Sequence, residues 1–156
     1  MKNLWRVPVL CLAGSWIGYY LTVYMERFFF LVKTMGENGI PEISVDPVRS
    51  SIFSWVLFFL ILVAGGLFLL RGMTKKEIAL SAAIISGVYL ILTVVQINFK
   101  LYFQNVNFNA LLSIFQTWPN ILTKILYQVT GKITIFFTFL CCFSPFLFVF
   151  FGKSKE

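Results

Sequence analysis

Long runs of uncharged, mostly apolar residues alternate with short charged segments along this chain. The clearest run covers 50–70, where 21 residues separate Arg49 from Arg71 without a charge. A helix of that length rises about 30 Å, which matches the hydrocarbon core of a bilayer. The pattern therefore predicts that 1–156 is one all-α integral membrane domain with four transmembrane helices. We expect these helices at about 7–25, 50–70, 78–99 and 133–152.

A fifth uncharged stretch, 101–123, is too rich in amide and hydroxyl side chains to face lipid. Pro119 suits the first turn of a helix that runs on to Thr130 with its apolar residues on one side. The opposite side carries Asn120, Lys124 and Gln128. We therefore predict an outer amphipathic segment, about 110–130, between the third and fourth transmembrane helices. It should consist of two short helices, broken at Trp118 and Pro119, lying across the outer mouth of the bundle.

Local residue patterns indicate where several of these elements begin or end. The glycines and proline in 34–45 predict a loop, and Asp46 followed by a proline is typical of a helix start. Thr74 with Glu77 three residues later predicts a capping box at the start of the third helix. Pro145 should kink the fourth helix, because proline cannot donate the helical hydrogen bond.

Small side chains recur in the first three apolar windows at spacings that let helices approach closely. The GxxxG step in the first helix favours either packing inside the bundle or a dimer face. The small face of the third helix should contact glycines of the first or second helix. The predicted helix-packing residues are Gly14, Gly18, Gly65, Gly66, Ala79, Ala83 and Gly87.

Composition supports a membrane protein, since 59% of the residues are hydrophobic and only 12% are charged. Soluble domains carry roughly 25% charged residues. The chain has 13 Lys and Arg against 6 Asp and Glu, but the cations flank apolar segments and form no continuous basic run. The expected partner is thus the lipid bilayer and not nucleic acid. Basic residues at both termini and around Arg71 predict cytoplasmic termini, in the plasma (cell) membrane.

The residue types limit the chemistry. The chain contains no histidine, and its three cysteines lie inside apolar windows. Hydrolytic, metal and redox centres need clustered histidine, cysteine or carboxylate side chains. We therefore expect no catalytic residues, no metal site and no cofactor, and a protein that is not an enzyme.

A few polar residues remain as candidate contacts to a ligand or partner. Glu26 and Arg27 interrupt the apolar run at the end of the first helix. They are either an interfacial pair or a buried functional pair within the membrane. The other candidates lie near the outer end of the third helix: Gln96, Asn98, Asn105 and Asn107.

Three functions are consistent with this sequence. The favoured one is an accessory or assembly subunit that binds other membrane proteins, or a second copy of itself, through small-residue faces. The alternative is a transport or small-molecule binding subunit that uses the outer polar loops. A lipid-active enzyme would require Glu26 and Arg27 to sit together in a cavity.

Overall fold

The computed structural model describes residues 4–35, 41–102, 106–132 and 134–153 and is mostly helical. Three of its helical segments, Arg6–Phe28, Pro47–Leu69 and Lys75–Asn98, are long and apolar enough to cross a membrane. The elements in chain order are α1 (Arg6–Phe28), β1 (Leu31–Met35), β2 (Pro41–Val45), α2 (Pro47–Ala64), a π-helical turn (Gly65–Leu69), α3 (Lys75–Tyr102), α4 (Val106–Phe115), α5 (Thr117–Thr130), α6 (Ile135–Cys141) and a C-terminal 3₁₀ helix (Ser144–Phe151).

The predicted starts of α2 and α3 are confirmed. Asp46 Oδ1 accepts hydrogen bonds from the backbone N–H groups of Val48 and Arg49, at 2.9 and 3.2 Å. At α3, the Thr74 N–H donates to Glu77 Oε2 at 2.9 Å, and the Glu77 N–H donates to Thr74 Oγ1 at 3.3 Å. Each arrangement satisfies amide groups that the first turn of a helix leaves without partners.

The predicted loop over 34–45 is wrong in part, because β1 and β2 form an antiparallel two-stranded sheet. Leu31 pairs with Val45 and Thr34 pairs with Glu42. Every residue of β2 is exposed, so the strand has no buried face to produce an alternating apolar pattern. Cross-strand backbone hydrogen bonds hold the hairpin instead, with a contact between the hydroxyls of Thr34 and Ser44 at 3.2 Å.

Glycines of α1 and of the π-helical turn that follows α2 lie against side chains of other elements. A Cβ atom added at Gly14 would lie 3.1 Å from Ile61 Cγ2, and one at Gly65 would lie 2.6 Å from Leu10 Cδ2. A Cβ at Gly18 would touch Leu57 as well as Thr117 of α5, and one at Gly66 would overlap the Phe151 ring. Neighbouring side chains thus fill the space beside these glycines, which leaves little room for a larger residue.

The small face predicted for α3 is placed differently. Ala83 is exposed, Ala79 is half-buried, and a Cβ added at Gly87 would meet no atom of the described structure within 4 Å. The buried face of α3 combines small residues with larger ones. These are Ile78, Ser81, Ala82, Ile85, Ser86 and Tyr89. On this face the Tyr89 hydroxyl lies 3.5 Å from Ser15 Oγ.

The segment predicted to lie across the outer mouth of the bundle instead enters it. Trp118 is fully buried, with its indole between Phe58 (ring centroids 4.6 Å apart) and Phe148 (5.5 Å). Its backbone N–H donates to Ser15 Oγ at 3.0 Å. Ser15 and Phe58 lie near the middles of α1 and α2, so the α4–α5 connection reaches halfway along both helices. The break falls at Gln116, two residues before Trp118, and Pro119 is in the first turn of α5.

Near this connection two buried polar side chains share a hydrogen bond, whereas the buried Nε1 of Trp118 has no partner among the described residues. Gln116, which is 2% exposed, donates through Nε2 to Thr93 Oγ1 at 3.4 Å. Thr93 Oγ1 also lies 3.3 Å from Cys142 Sγ. An amide buried among apolar helices is costly unless it is paired, so these contacts stabilise the inserted position of the connection.

The fourth apolar window forms two short helices rather than one long helix. α6 ends at Cys141 and the 3₁₀ helix begins at Ser144, so the chain changes helical geometry just before Pro145. Beyond this 3₁₀ helix, the Lys153 N–H donates to Met73 O at 3.0 Å. The Ser81 hydroxyl hydrogen-bonds to Leu4 O. Both ends of the described chain therefore lie at the same end of the bundle as the α2–α3 turn. We call this the terminal end, and the opposite end, which carries β1 and β2, the hairpin end.

Candidate functional site

A cavity of about 200 Å³ opens at the hairpin end between α1, α2, α4 and α5. Polar side chains at one-turn spacings line it from two directions. Thr22 and Glu26 are four residues apart on α1, and Thr117, Asn120 and Lys124 follow at steps of three and four on α5. Side chains at such spacings share one face of a helix. Two polar stripes thus face each other across the cavity, which we call the hairpin-end cavity.

Glu26 is held in this cavity by residues from two other helices. The Ser50 hydroxyl of α2 donates to Glu26 Oε1 at 2.6 Å. Lys124 Nζ of α5 lies 4.0 Å from the same oxygen, and the two side chains are 27% (Glu26) and 58% (Lys124) exposed. That distance exceeds hydrogen-bond length, so the two charges are close without closing into a tight ion pair.

Thr22 adds a polar atom without a partner. Its Oγ1 is buried and makes no hydrogen bond to any other described residue. Buried hydroxyl groups in proteins are nearly always paired with protein, water or ligand. Thr22 lines the same cavity as Glu26.

Arg27 lies apart from Glu26 although it is the next residue. Its side chain is exposed and lines a separate aromatic surface with Trp16, Tyr20 and Tyr24. Adjacent residues project about 100° apart on a helix, which explains the separation. The cation that approaches Glu26 is therefore Lys124, which the sequence analysis had assigned to the polar side of α5.

The other predicted contact residues lie elsewhere in the described structure. Gln96 is half-buried, and Asn98 is exposed with its Nδ2 donating to Val94 O of its own helix at 2.8 Å. Asn105 lies outside the described residues, as does the side chain of Asn107. Sequence reasoning missed Lys124 as a site residue, although the matching polar stripes on α1 and α5 were visible in the sequence.

A wider groove of about 870 Å³ adjoins the cavity between α2 and α5. Its sides include Val48, Ile52 and Val56 of α2 and Tyr127 of α5, and Lys124 lines both this groove and the cavity. At its edge, Trp55 Nε1 donates to Gln128 Oε1 at 2.9 Å. We call this feature the α2–α5 groove. Its apolar surface begins at Lys124, the residue that also approaches Glu26.

The described residues contain no group of three or more histidine, cysteine, aspartate or glutamate side chains able to hold a metal ion. Cys11, Cys141 and Cys142 are free and buried. The chemistry that the hairpin-end cavity itself offers is one carboxylate, one ammonium and several hydroxyl and amide groups, which suits recognition of a small polar molecule.

Comparison with known proteins adds no assignment, since no protein-family model, curated protein or solved structure matches this chain.

Proposed function

We propose that this chain is a multi-pass membrane protein that acts by binding rather than by catalysis. Its hairpin-end cavity binds a small molecule that carries both a positive and a negative group. The observation that carries this proposal is the position of Glu26 and Lys124, which come from different helices and face one cavity. A ligand ammonium would pair with Glu26, and a ligand anion would pair with Lys124.

The same proposal places four crossings in the membrane. The segment Ile135–Phe151 is apolar but shorter than the three long helices. Because both described chain ends lie at the terminal end, an even number of crossings accounts for the path of the chain. The basic residues near that end favour the cytoplasm, which puts the hairpin end and its cavity on the outer side of the cell membrane.

The absence of catalysis is part of the proposal and rests on residue types. A chain without histidine lacks the commonest general base, and Glu26 is approached in the cavity by a cation rather than by a second carboxylate. A carboxylate next to an ammonium group can bind the charged groups of a ligand. The separation of Arg27 from Glu26 also argues against the lipid-active enzyme, which needed those two residues in one cavity.

Binding of free zwitterions to the purified protein in nanodiscs tests this function. We would measure isothermal titration of phosphoethanolamine and small amino acids against wild type, Glu26→Gln and Lys124→Gln. Arg27→Gln is the matched control, because it removes a neighbouring charge outside the cavity. Loss of either charge in the cavity should weaken binding by about tenfold, while the control should bind as wild type does. Equal affinity in all four proteins would refute the proposal.

A second function, that of an accessory subunit for another membrane protein, is supported by the outward face of α3. Ala83 is exposed, the space beside Gly87 is open, and Leu80 and Ile84 are each 51% exposed. Small residues flanked by branched apolar residues allow close approach of another membrane helix. We propose this face as the contact for a partner helix, from another protein or from a second copy of the chain.

Cysteine cross-linking in native membranes tests the partner face. A cysteine at Ala83 should give one cross-linked product of defined mass, whose second component mass spectrometry identifies as another protein or as this chain. A cysteine at Val63, an exposed position on α2, is the control and should give none. Identical products at both positions would show that the contacts are random collisions in the membrane.

A further inference from the structure

We infer that the molecule bound in the hairpin-end cavity is the headgroup of an aminophospholipid, with the phospholipid's acyl chains lying along the α2–α5 groove. This inference rests on the proposed function and names its ligand. The primary ammonium of phosphoethanolamine pairs with Glu26, and the phosphate pairs with Lys124.

The contacts of Glu26 leave room for an ammonium group. Among the described residues, the hydrogen bond from Ser50 and the approach of Lys124 both involve Oε1, so Oε2 is free to accept from a ligand. A primary ammonium has three hydrogen-bond donors. Thr22, whose buried Oγ1 has no partner among the described residues, lies on the same side of the cavity as Glu26.

Lys124 is placed where a phosphodiester would join the two parts of a lipid. Its side chain lines the small polar cavity on one side and the larger apolar groove on the other. A phosphate at Lys124 therefore directs its amino-bearing substituent towards Glu26 and its glycerol with acyl chains towards Val48, Ile52 and Val56. A free amino acid would use the cavity alone and leave the groove unexplained.

The groove also lies at the depth where a lipid headgroup is expected. It begins at Pro47 and Val48, the first residues of a helix long and apolar enough to cross a membrane. Trp55 and Tyr127 flank it, and such aromatic residues are enriched at the membrane–water interface. The groove runs from there along α2, in the direction that acyl chains follow into the bilayer.

Headgroup chemistry makes this inference selective. A choline headgroup carries a quaternary ammonium that donates no hydrogen bond to Glu26 or Thr22. A serine headgroup would bring a carboxylate towards Glu26, and a glycerol headgroup lacks the cation altogether. Ethanolamine is thus the common phospholipid headgroup that pairs with both charges, Glu26 and Lys124.

Native mass spectrometry of the full chain tests the inference. The protein would be released from nanodiscs containing equal amounts of phosphatidylethanolamine, phosphatidylcholine and phosphatidylglycerol. We expect the ethanolamine lipid to be retained about tenfold over the other two in wild type and in Arg27→Gln. Glu26→Gln should abolish the preference among headgroups, and Lys124→Gln should reduce retention of all three lipids, since each carries a phosphate.

Blocking the groove separates the lipid from a free zwitterion. Ile52→Trp would fill the groove, and Val63→Trp would place the same bulk on an exposed part of α2 outside it. We expect Ile52→Trp, unlike Val63→Trp, to lose lipid retention while free phosphoethanolamine still binds. If wild type binds free phosphoethanolamine but shows no headgroup preference, the lipid inference fails and the proposed function stands. If wild type neither binds free phosphoethanolamine nor prefers one headgroup, both the lipid inference and the proposed function fail.

Discussion

At the scale of single residues, two glycines pack against large side chains from distant parts of the sequence. Gly66 lies against the Phe151 ring and Gly65 lies against Leu10. The same two glycines lie at the point where α2 gives way to a π-helical turn. Small size at these positions is therefore needed for contact with α1 and with the C-terminal 3₁₀ helix.

Gly66→Ala should destabilise the bundle, because the new methyl group would overlap the Phe151 ring. Overpacking of this kind typically costs about 1 to 3 kcal/mol. Gly87→Ala is the matched control, since a Cβ there meets no described atom within 4 Å and alanine favours a helix. Unfolding midpoints in a mixed-detergent titration would measure both. Equal destabilisation by the two substitutions would contradict the packing that the structure shows.

At the scale of elements, α5 is the helix that connects the interior to the candidate site. Its first turn is buried at Trp118 between Phe58 and Phe148, and Lys124 in its second half faces Glu26. A displacement of α5 would thus move the Trp118 stack and the charged cavity together. A measurement of where α5 lies therefore tests both the packing of Trp118 and the geometry of the cavity.

Cysteine accessibility along α5 distinguishes an inserted helix from one lying on the surface. In a background without native cysteines, Ile121→Cys and Ile125→Cys should react with a maleimide at least about tenfold more slowly than Lys124→Cys and Gln128→Cys. The first two side chains are 4% and 8% exposed, whereas the last two are exposed. Comparable rates at Ile121 and Lys124 would mean that α5 does not pack into the bundle.

The burial of side chains along α5 also shows which side of this helix faces the bundle. Its most buried face carries Trp118, Ile121 and Ile125, while Leu122, which lies on the same apolar arc, is only half-buried. The sequence predicted that the apolar residues share one side of the helix, but it did not predict which of them would be most deeply buried. This face packs against α1 at Gly18, where an added Cβ would lie 3.6 Å from Thr117 Cγ2 and 3.8 Å from Ile121 Cδ1.

At the scale of the whole molecule, both ends of the described chain meet the α2–α3 turn. Lys153 hydrogen-bonds with Met73 and Lys75 through the backbone, and Leu4 O accepts from Ser81. A chain that leaves and returns at one end of a membrane-spanning bundle crosses an even number of times. In the four-span proposal, the segment Ile135–Phe151 is the fourth crossing, although it is shorter than the three long helices.

Tags fused to either terminus should both be protected from protease added outside intact cells or spheroplasts, because the basic terminal end favours the cytoplasm. A protease site inserted beside Ile43, which is 68% exposed in β2, should be cleaved under the same conditions. Lysed cells provide the control in which all three sites are cut. Cleavage of one terminal tag alone in intact cells would indicate an odd number of crossings and overturn the four-span proposal.

The sequence by itself determined the features that depend on neighbouring residues and on bulk hydrophobicity. The caps at Asp46 and Thr74 could be predicted because the groups that bond there lie within three residues of each other. The three long apolar helices could be predicted because a membrane span needs a minimum length of uncharged residues. Neither feature requires knowledge of which helices are neighbours.

Only the tertiary structure decided which residues meet across the bundle. Trp118 bonds to Ser15 across 103 residues of sequence, and this contact places the α4–α5 connection inside the protein rather than across its mouth. The Glu26–Lys124 approach has the same origin, since the rotation of α5 brings the still exposed Lys124 within 4.0 Å of Glu26 on α1. Helical periodicity fixes which side chains share a face but carries no information about which neighbour that face contacts. The candidate site therefore depends on packing that local sequence patterns do not encode.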